Sequence, residues 1–237
     1  MGSADVARIY EKYGITLIDS DDNLPVLDNS AIKLLNTIDQ WPFVNVADIK
    51  KILGPELSIY TLSCLIKNDL IAIERLSRKA GGFVNGHYLI TRGYSALNKE
   101  PPKIRGKTSF AHIIAQQMIG RLLEEKGYEI TLEKQFPRHF VDVFAYKENE
   151  SRFFEIVISE NISGQIDNLK NDIEAGANKV CFVFARKQAW DSLESKIKAL
   201  KIPDDDKKKI HYNFLSSYCI ENMKERIKCH TDNSQLS

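Results

Sequence analysis

The chain has 237 residues, 43% apolar and 27% charged, with 33 lysines and arginines against 32 aspartates and glutamates. That length accommodates two modest domains with their own cores, and the composition excludes wholesale disorder and fibrous architectures. A net charge of +1 supplies no global positive field, so any contact with nucleic acid must come from local patches. The N-terminal MGSADVARIYEKYG has no basic stretch followed by an apolar run, so no secretory signal is expected. The longest uncharged stretch, Thr108 to Gly120, falls short of the ~18–20 apolar residues of a membrane span. Cys64, Cys181, Cys219 and Cys229 form no CxxC pair, and Cys64 and Cys181 sit in apolar runs. They read as reduced core thiols of a cytoplasmic protein.

In the first half, Ser30 is expected to cap a helix running through Trp41, with Ile32, Leu34, Leu35 and Ile38 on one face. Val46–Leu53 makes a second helix, stopped by Gly54-Pro55, and Glu56–Asn68 a third. Two strand-like runs follow, Leu70–Leu76 and His87–Thr91, flanking the glycine-rich tip SRKAGGFVNG. Residues 1–98 carry 10 basic and 11 acidic side chains. The polar segment KEPPKIRGK, residues 99–107, is a linker: two consecutive prolines break regular structure there.

The second half begins with an amphipathic helix, Ser109–Lys126, followed by runs with strand character at Tyr128–Phe136, His139–Tyr146, Arg152–Ser159 and Lys179–Ala185. Ile162–Ala175 has helical spacing between the last two. A charged helix, Lys187–Leu200, a strand, Lys209–Leu215, and a short final helix complete the chain, and residues 227–237 are expected as a disordered tail. The order α-β-β-β-α-β implies a mixed sheet whose third strand crosses through a helix to a parallel fourth.

Two acids interrupt apolar strands: Asp142 in HFVDVFAY and Glu155 in RFFEIVIS. With Glu148-Asn149 at the centre of a two-residue hairpin turn, Asp142 and Glu155 pair across adjacent strands. Two carboxylates side by side repel unless they share a proton or a cation, and hard divalent ions take oxygen ligands. Alternatively the pair is satisfied by Arg138, His139, Arg152 or backbone amides.

Two resemblances follow. Three helices and a hairpin with a basic tip, in particular LSIYTLSCLIKNDLIAIERL, resemble a winged helix-turn-helix over about residues 29–98. That resemblance implies duplex DNA contacts from Tyr60, Thr61 and Lys67 on the third helix and from Arg75, Arg78 and Lys79 at the hairpin. Winged helices also serve as protein-docking modules, and the net charge of −1 over residues 1–98 favours that use. Residues 109–186, with Asp142, then Glu155-Ile156-Val157 and the crossover helix, resemble the PD-(D/E)XK (restriction-endonuclease-like) superfamily. That resemblance implies Mg²⁺ held by Asp142, Glu155 and the main-chain carbonyl of Ile156. The lysine of that motif is Val157 here, so the group beside the water must come from elsewhere: Gln165 or Lys170 on the crossover helix, or Lys134. Some members add an acid on the first helix, where this chain has Gln116 or Gln117.

The expected fold class is therefore α/β (α+β overall): a winged helix-turn-helix domain at 1–98, the linker at 99–107, and a restriction-endonuclease-like domain at 108–226. The expected function is DNA interaction, as a Mg²⁺-dependent endonuclease or nuclease subunit of a mobile-element or defence system. A catalytically degenerate DNA-binding or scaffold protein and a transcriptional regulator are the alternatives. Double-stranded DNA is the expected partner, a protein subunit and a second copy of the chain are further candidates, and no membrane partner is expected.

Overall fold

The structure, a computed structural model, describes residues 24–54, 59–103 and 108–223. The expected tail at 227–237, Cys229 and part of the linker at 99–107 lie outside the described residues. Mixed α/β elements build a two-stranded antiparallel sheet and a five-stranded mixed sheet. Among the described residues no helix is long and apolar enough to cross a membrane.

Helix α1 (Asn29–Gln40) starts earlier than expected, because Asp28 rather than Ser30 caps it: the Asp28 carboxylate accepts from the Ala31 N–H at 2.7 Å. Helix α2 (Val46–Leu53) has the expected bounds, capped by Asn45 and ended by Gly54 at φ +79°. Helix α3 (Ile59–Lys67) leads into a hairpin of β1 (Ile71–Ser77) and β2 (Phe83–Leu89). The second strand begins at Phe83, four residues before the expected start. Only Gly81 and Gly82 take positive φ in the turn, whereas Gly86 lies inside the strand, where a Cβ would come 2.8 Å from the Phe43 carbonyl oxygen. That glycine therefore marks close packing rather than a bend. Helix α4 (Thr91–Ala96) follows.

In the second half, α5 (Phe110–Glu125) precedes β3 (Glu129–Gln135), β4 (Phe140–Lys147) and β5 (Glu150–Val157). Glu148 and Asn149 both take left-handed φ, and Lys147 pairs with Glu150 and Val143 with Phe154, the register a two-residue turn predicts. Helix α6 (Gln165–Glu174) crosses to β6 (Lys179–Phe184), parallel to β5; α7 (Lys187–Ala199) and the one-turn α8 (Asp204–Lys207) lead to β7 (Ile210–Phe214), parallel to β6. The chain then forms α9, residues 215–223. Spatial order follows chain order, β3-β4-β5-β6-β7. The run Asp204 to Lys209 is closed by ion pairs three residues apart.

Each face of the large sheet is covered. Ile114, Met118, Ile119 and Leu122 of α5 pack with Val143, Ala145, Phe154 and Ile156, and this core continues into Leu34, Leu35, Ile38 and Leu76 of the first half. Leu169 of α6 and Ala189, Leu193 and Ile197 of α7 pack with Phe153, Val157, Val180, Phe182 and Phe184. Full burial of side chains of this size contributes roughly 1.5–3 kcal/mol each. Where the halves meet, the end of β1 is bonded to the β6–α7 turn. The Ser77 N–H donates to the Ala185 carbonyl at 2.8 Å, the Lys187 N–H donates to Ser77 Oγ at 3.0 Å, and Ser216 Oγ donates to the Ser77 carbonyl at 2.7 Å.

Candidate functional site

The β4–β5 ladder runs no further toward the start of β4 than the pair Val143–Phe154. Asp142 lies one residue beyond it, and its partner position across β3, Glu133, has φ +48° and is left out of the pairing. The register is the same on either side, so the ladder is interrupted at this pair alone and leaves Asp142 outside it. The Asp142 carboxylate bonds in two directions. Oδ2 accepts from the Ile156 N–H at 2.7 Å, while Oδ1 accepts from His112 Nε2 at 2.9 Å and Gln116 Nε2 at 3.1 Å, both on α5. Of the satisfying groups expected from sequence, a backbone amide serves Asp142. Arg138, His139 and Arg152 instead bond Glu174, Asp172 and Glu150.

Glu155 shares its side of β5 with Phe153 and Val157, the side covered by α6. It is 2% exposed; Oε2 accepts from Asn168 Nδ2 at 2.8 Å, and Oε1 is buried with no hydrogen-bond partner among the described residues. The two carboxylates thus approach the strand gap from different neighbours, Asp142 from the α5 side and Glu155 from the α6 side. Burial is the main cause that raises the Glu155 pKa well above the ordinary carboxylate range, and the charges of Asp142 and Asp172 raise it further. Behind it, Asp172 of α6 bonds His139 at 2.6 Å, with side-chain exposures of 0% and 7%. Burial pushes the Asp172 pKa up to about 6, against the opposing hydrogen bond from His139.

In front of this acid cluster lies a cleft of about 950 Å³. Asp142, Ile156 and Val157 line it together with Ser109 and His112 at the start of α5, Gln165 at the start of α6, and Glu74, Tyr88 and Arg186. Its basic groups are His112 and Arg186, the latter paired with Glu74 at 2.7 Å. Of the residues expected around the water, Gln165 is here and Lys170 is not. Lys170 is 55% exposed and faces Asp167 at 3.8 Å, because two residues turn it about 200° round the helix from Asn168. Lys134 is also engaged elsewhere, its Nζ 3.3 Å from the Phe144 ring centroid.

The residues expected to meet DNA do not line this cleft. Tyr60 and Thr61 are half-buried on α3, Lys67 is exposed, and Cys64 between them is buried, as expected of a core thiol. The Arg75 guanidinium lies 3.5 Å from the centroid of the Phe83 ring, while Arg78 and Lys79 are exposed in the hairpin turn. Residues that sequence reasoning missed are the Asp142 ligand His112, the His139–Asp172 pair and the cleft cation Arg186. One local signal existed: His112 and Gln116, four apart, put two polar groups on one face of α5.

No protein-family model matches the chain, and no curated protein matches it. Among solved structures it is similar to a crystal structure of a protein of unknown function, AF1548, at 14% identity and a TM-score of 0.31. The alignment covers 44% of this chain, which spans 58% of the length of that one.

Proposed function

We propose that the protein acts on or binds DNA through the acidic cleft, as a Mg²⁺-dependent endonuclease or nuclease subunit built from a winged helix and a restriction-endonuclease-like sheet. The observation that carries this reading is Glu155. A carboxylate buried among apolar side chains, with one oxygen lacking a donor and two other acids nearby, is costly unless a proton or cation joins it. Among the described residues no group of three or more His, Cys, Asp or Glu forms a metal cage. Two carboxylates suit a hard ion that keeps waters and takes phosphate oxygens for the rest of its shell. Asp142, Glu155 and the Ile156 carbonyl would hold it, and the ion would acidify a water and neutralise charge growing on phosphorus. His112 and Gln116 orient the Asp142 carboxylate, Asn168 orients Glu155, and Gln165 and Arg186 are left facing the cleft to meet water or phosphate.

A second reading, a degenerate centre that binds DNA or a partner without cutting, is favoured by Val157 at the lysine position and by Lys170 facing solvent. Cleavage of plasmid, linear and branched DNA with Mg²⁺ or Mn²⁺ separates the two. Cutting by the wild type and none by Asp142→Ala supports the nuclease. No cutting under any condition, with DNA binding retained, supports the degenerate reading, and loss of both ends the DNA assignment.

A further inference from the structure

A second groove shares no lining residue with the acidic cleft. It has a volume of about 740 Å³ and lies where the first half, the hairpin and α9 come together. Its walls are chiefly apolar: Trp41, Phe43, Ile52, Val84, Ile220 and Met223. Small-molecule pockets are concave, mostly apolar, and carry a few polar groups that set orientation.

Two polar groups here lack partners among the described residues. Trp41 is 7% exposed, and its indole N–H is buried with no acceptor among the described residues. A buried donor of this kind is ordinarily satisfied, and an acceptor reaching it from the groove would supply the missing bond. Arg78, exposed at the hairpin turn, lines the same groove, and its guanidinium has no partner among the described residues. The other cation of the rim, Lys51, is already neutralised by Asp48 at 2.9 Å. The lining therefore combines an apolar body, one unpaired donor and one uncompensated positive charge.

We propose that this groove binds a small amphipathic carboxylate, its chain or ring against Phe43, Ile52, Val84 and Ile220 and its acid group on Arg78, with an acceptor oxygen to the Trp41 N–H. A guanidinium is matched to a carboxylate in both charge and fork geometry. Because hairpin and α9 each contribute a wall, the ligand would bridge the two halves of the chain. The proposal is independent of the nuclease reading.

The test is calorimetric titration of the full chain with decanoate and, in parallel, with decanol. Saturable binding of decanoate is expected, weakened by about tenfold in Arg78→Gln through loss of a charge-assisted bond, while decanol binding is unchanged by that substitution. Trp41→Phe, which keeps an aromatic ring but removes the N–H together with part of the side-chain volume, is expected to weaken both ligands without changing the circular dichroism. Absence of saturable heat in the wild type overturns the proposal, as does decanoate affinity indifferent to Arg78→Gln. A concentration-dependent dimer abolished by Ile220→Arg would assign the groove to a second copy and overturn it too.

Discussion

Glu74 of the hairpin and Glu155 of the large sheet are both glutamates on strands, and burial raises the pKa of each. They differ in what surrounds them. Glu74, at 13% side-chain exposure, has the Arg186 guanidinium at 2.7 Å, which opposes the rise. Glu155, at 2%, accepts from the Asn168 amide, and the charged groups that raise its pKa further, Asp142 and Asp172, are both acids. A buried acid with its own cation is a structural joint, here tying hairpin to sheet. A buried acid among other acids is destabilising by itself, and such sites are where function is to be sought.

The comparison can be broken in several ways. The largest effect is expected behind Glu155, where His139→Ala leaves Asp172 fully buried without its partner. Breaking such a pair costs about 3–5 kcal/mol, read as a shift in the urea unfolding midpoint. A loss below about 1 kcal/mol would mean that Asp172 is not held as an ion there.

Next comes pH. The folded pKa of Asp172, about 6, exceeds its ordinary 3.8, so the native state binds the proton more tightly than the unfolded chain. The resulting contribution to stability is whole below about pH 4 and lost as pH rises through about 6. Wild type should therefore lose stability relative to Asp172→Asn across that window, by up to about 3 kcal/mol. Parallel curves for the two proteins would remove the acid cluster from the argument.

At the joint, Arg186→Ala should cost about 1–2 kcal/mol by stranding Glu74, and Glu74→Gln in the same chain should recover part of it. Additive losses in that double-mutant cycle would show no direct coupling. If a divalent ion joins Asp142 and Glu155, Mg²⁺ at ten times its dissociation constant should stabilise the wild type by about 1.4 kcal/mol. In Asp142→Asn the gain should vanish, and an equal gain in both proteins would place the ion elsewhere. The smallest effect belongs to Lys170→Met: within about 0.5 kcal/mol in stability, as for exposed side chains generally, and no change in any DNA cleavage. Loss of cleavage in that variant would restore Lys170 to the site.

Much of the architecture was legible because it is written in short-range pattern. The bounds of α2 follow from Asn45 and Gly54, and the β4–β5 register follows from Glu148 and Asn149, whose left-handed φ closes a two-residue turn. The parallel crossover through α6 follows from helical spacing between two apolar runs. The candidate site was legible only in its acids. An aspartate and a glutamate inside apolar strands announce themselves, since nothing local repays their burial.

Their partners do not. His112 and Gln116 reach Asp142 across 30 and 26 residues, His139 finds Asp172 across 33, and Arg186 finds Glu74 across 112. Periodicity states which face of an element is buried, but not which other element covers it. It places Lys170 on a polar helix side, yet only the docking of α6 through Leu169, with Asn168 on Glu155, turns that lysine to solvent. The composition and the local pattern of this chain decided helices, strands, the hairpin turn and the two misplaced carboxylates, because those depend on backbone preferences and on neighbours a few residues away. Tertiary packing decided that Asp142 turns into the strand gap, that Glu155 is buried beside Asp142 and Asp172 and that the hairpin walls the cleft, because these depend on contacts between segments distant in sequence.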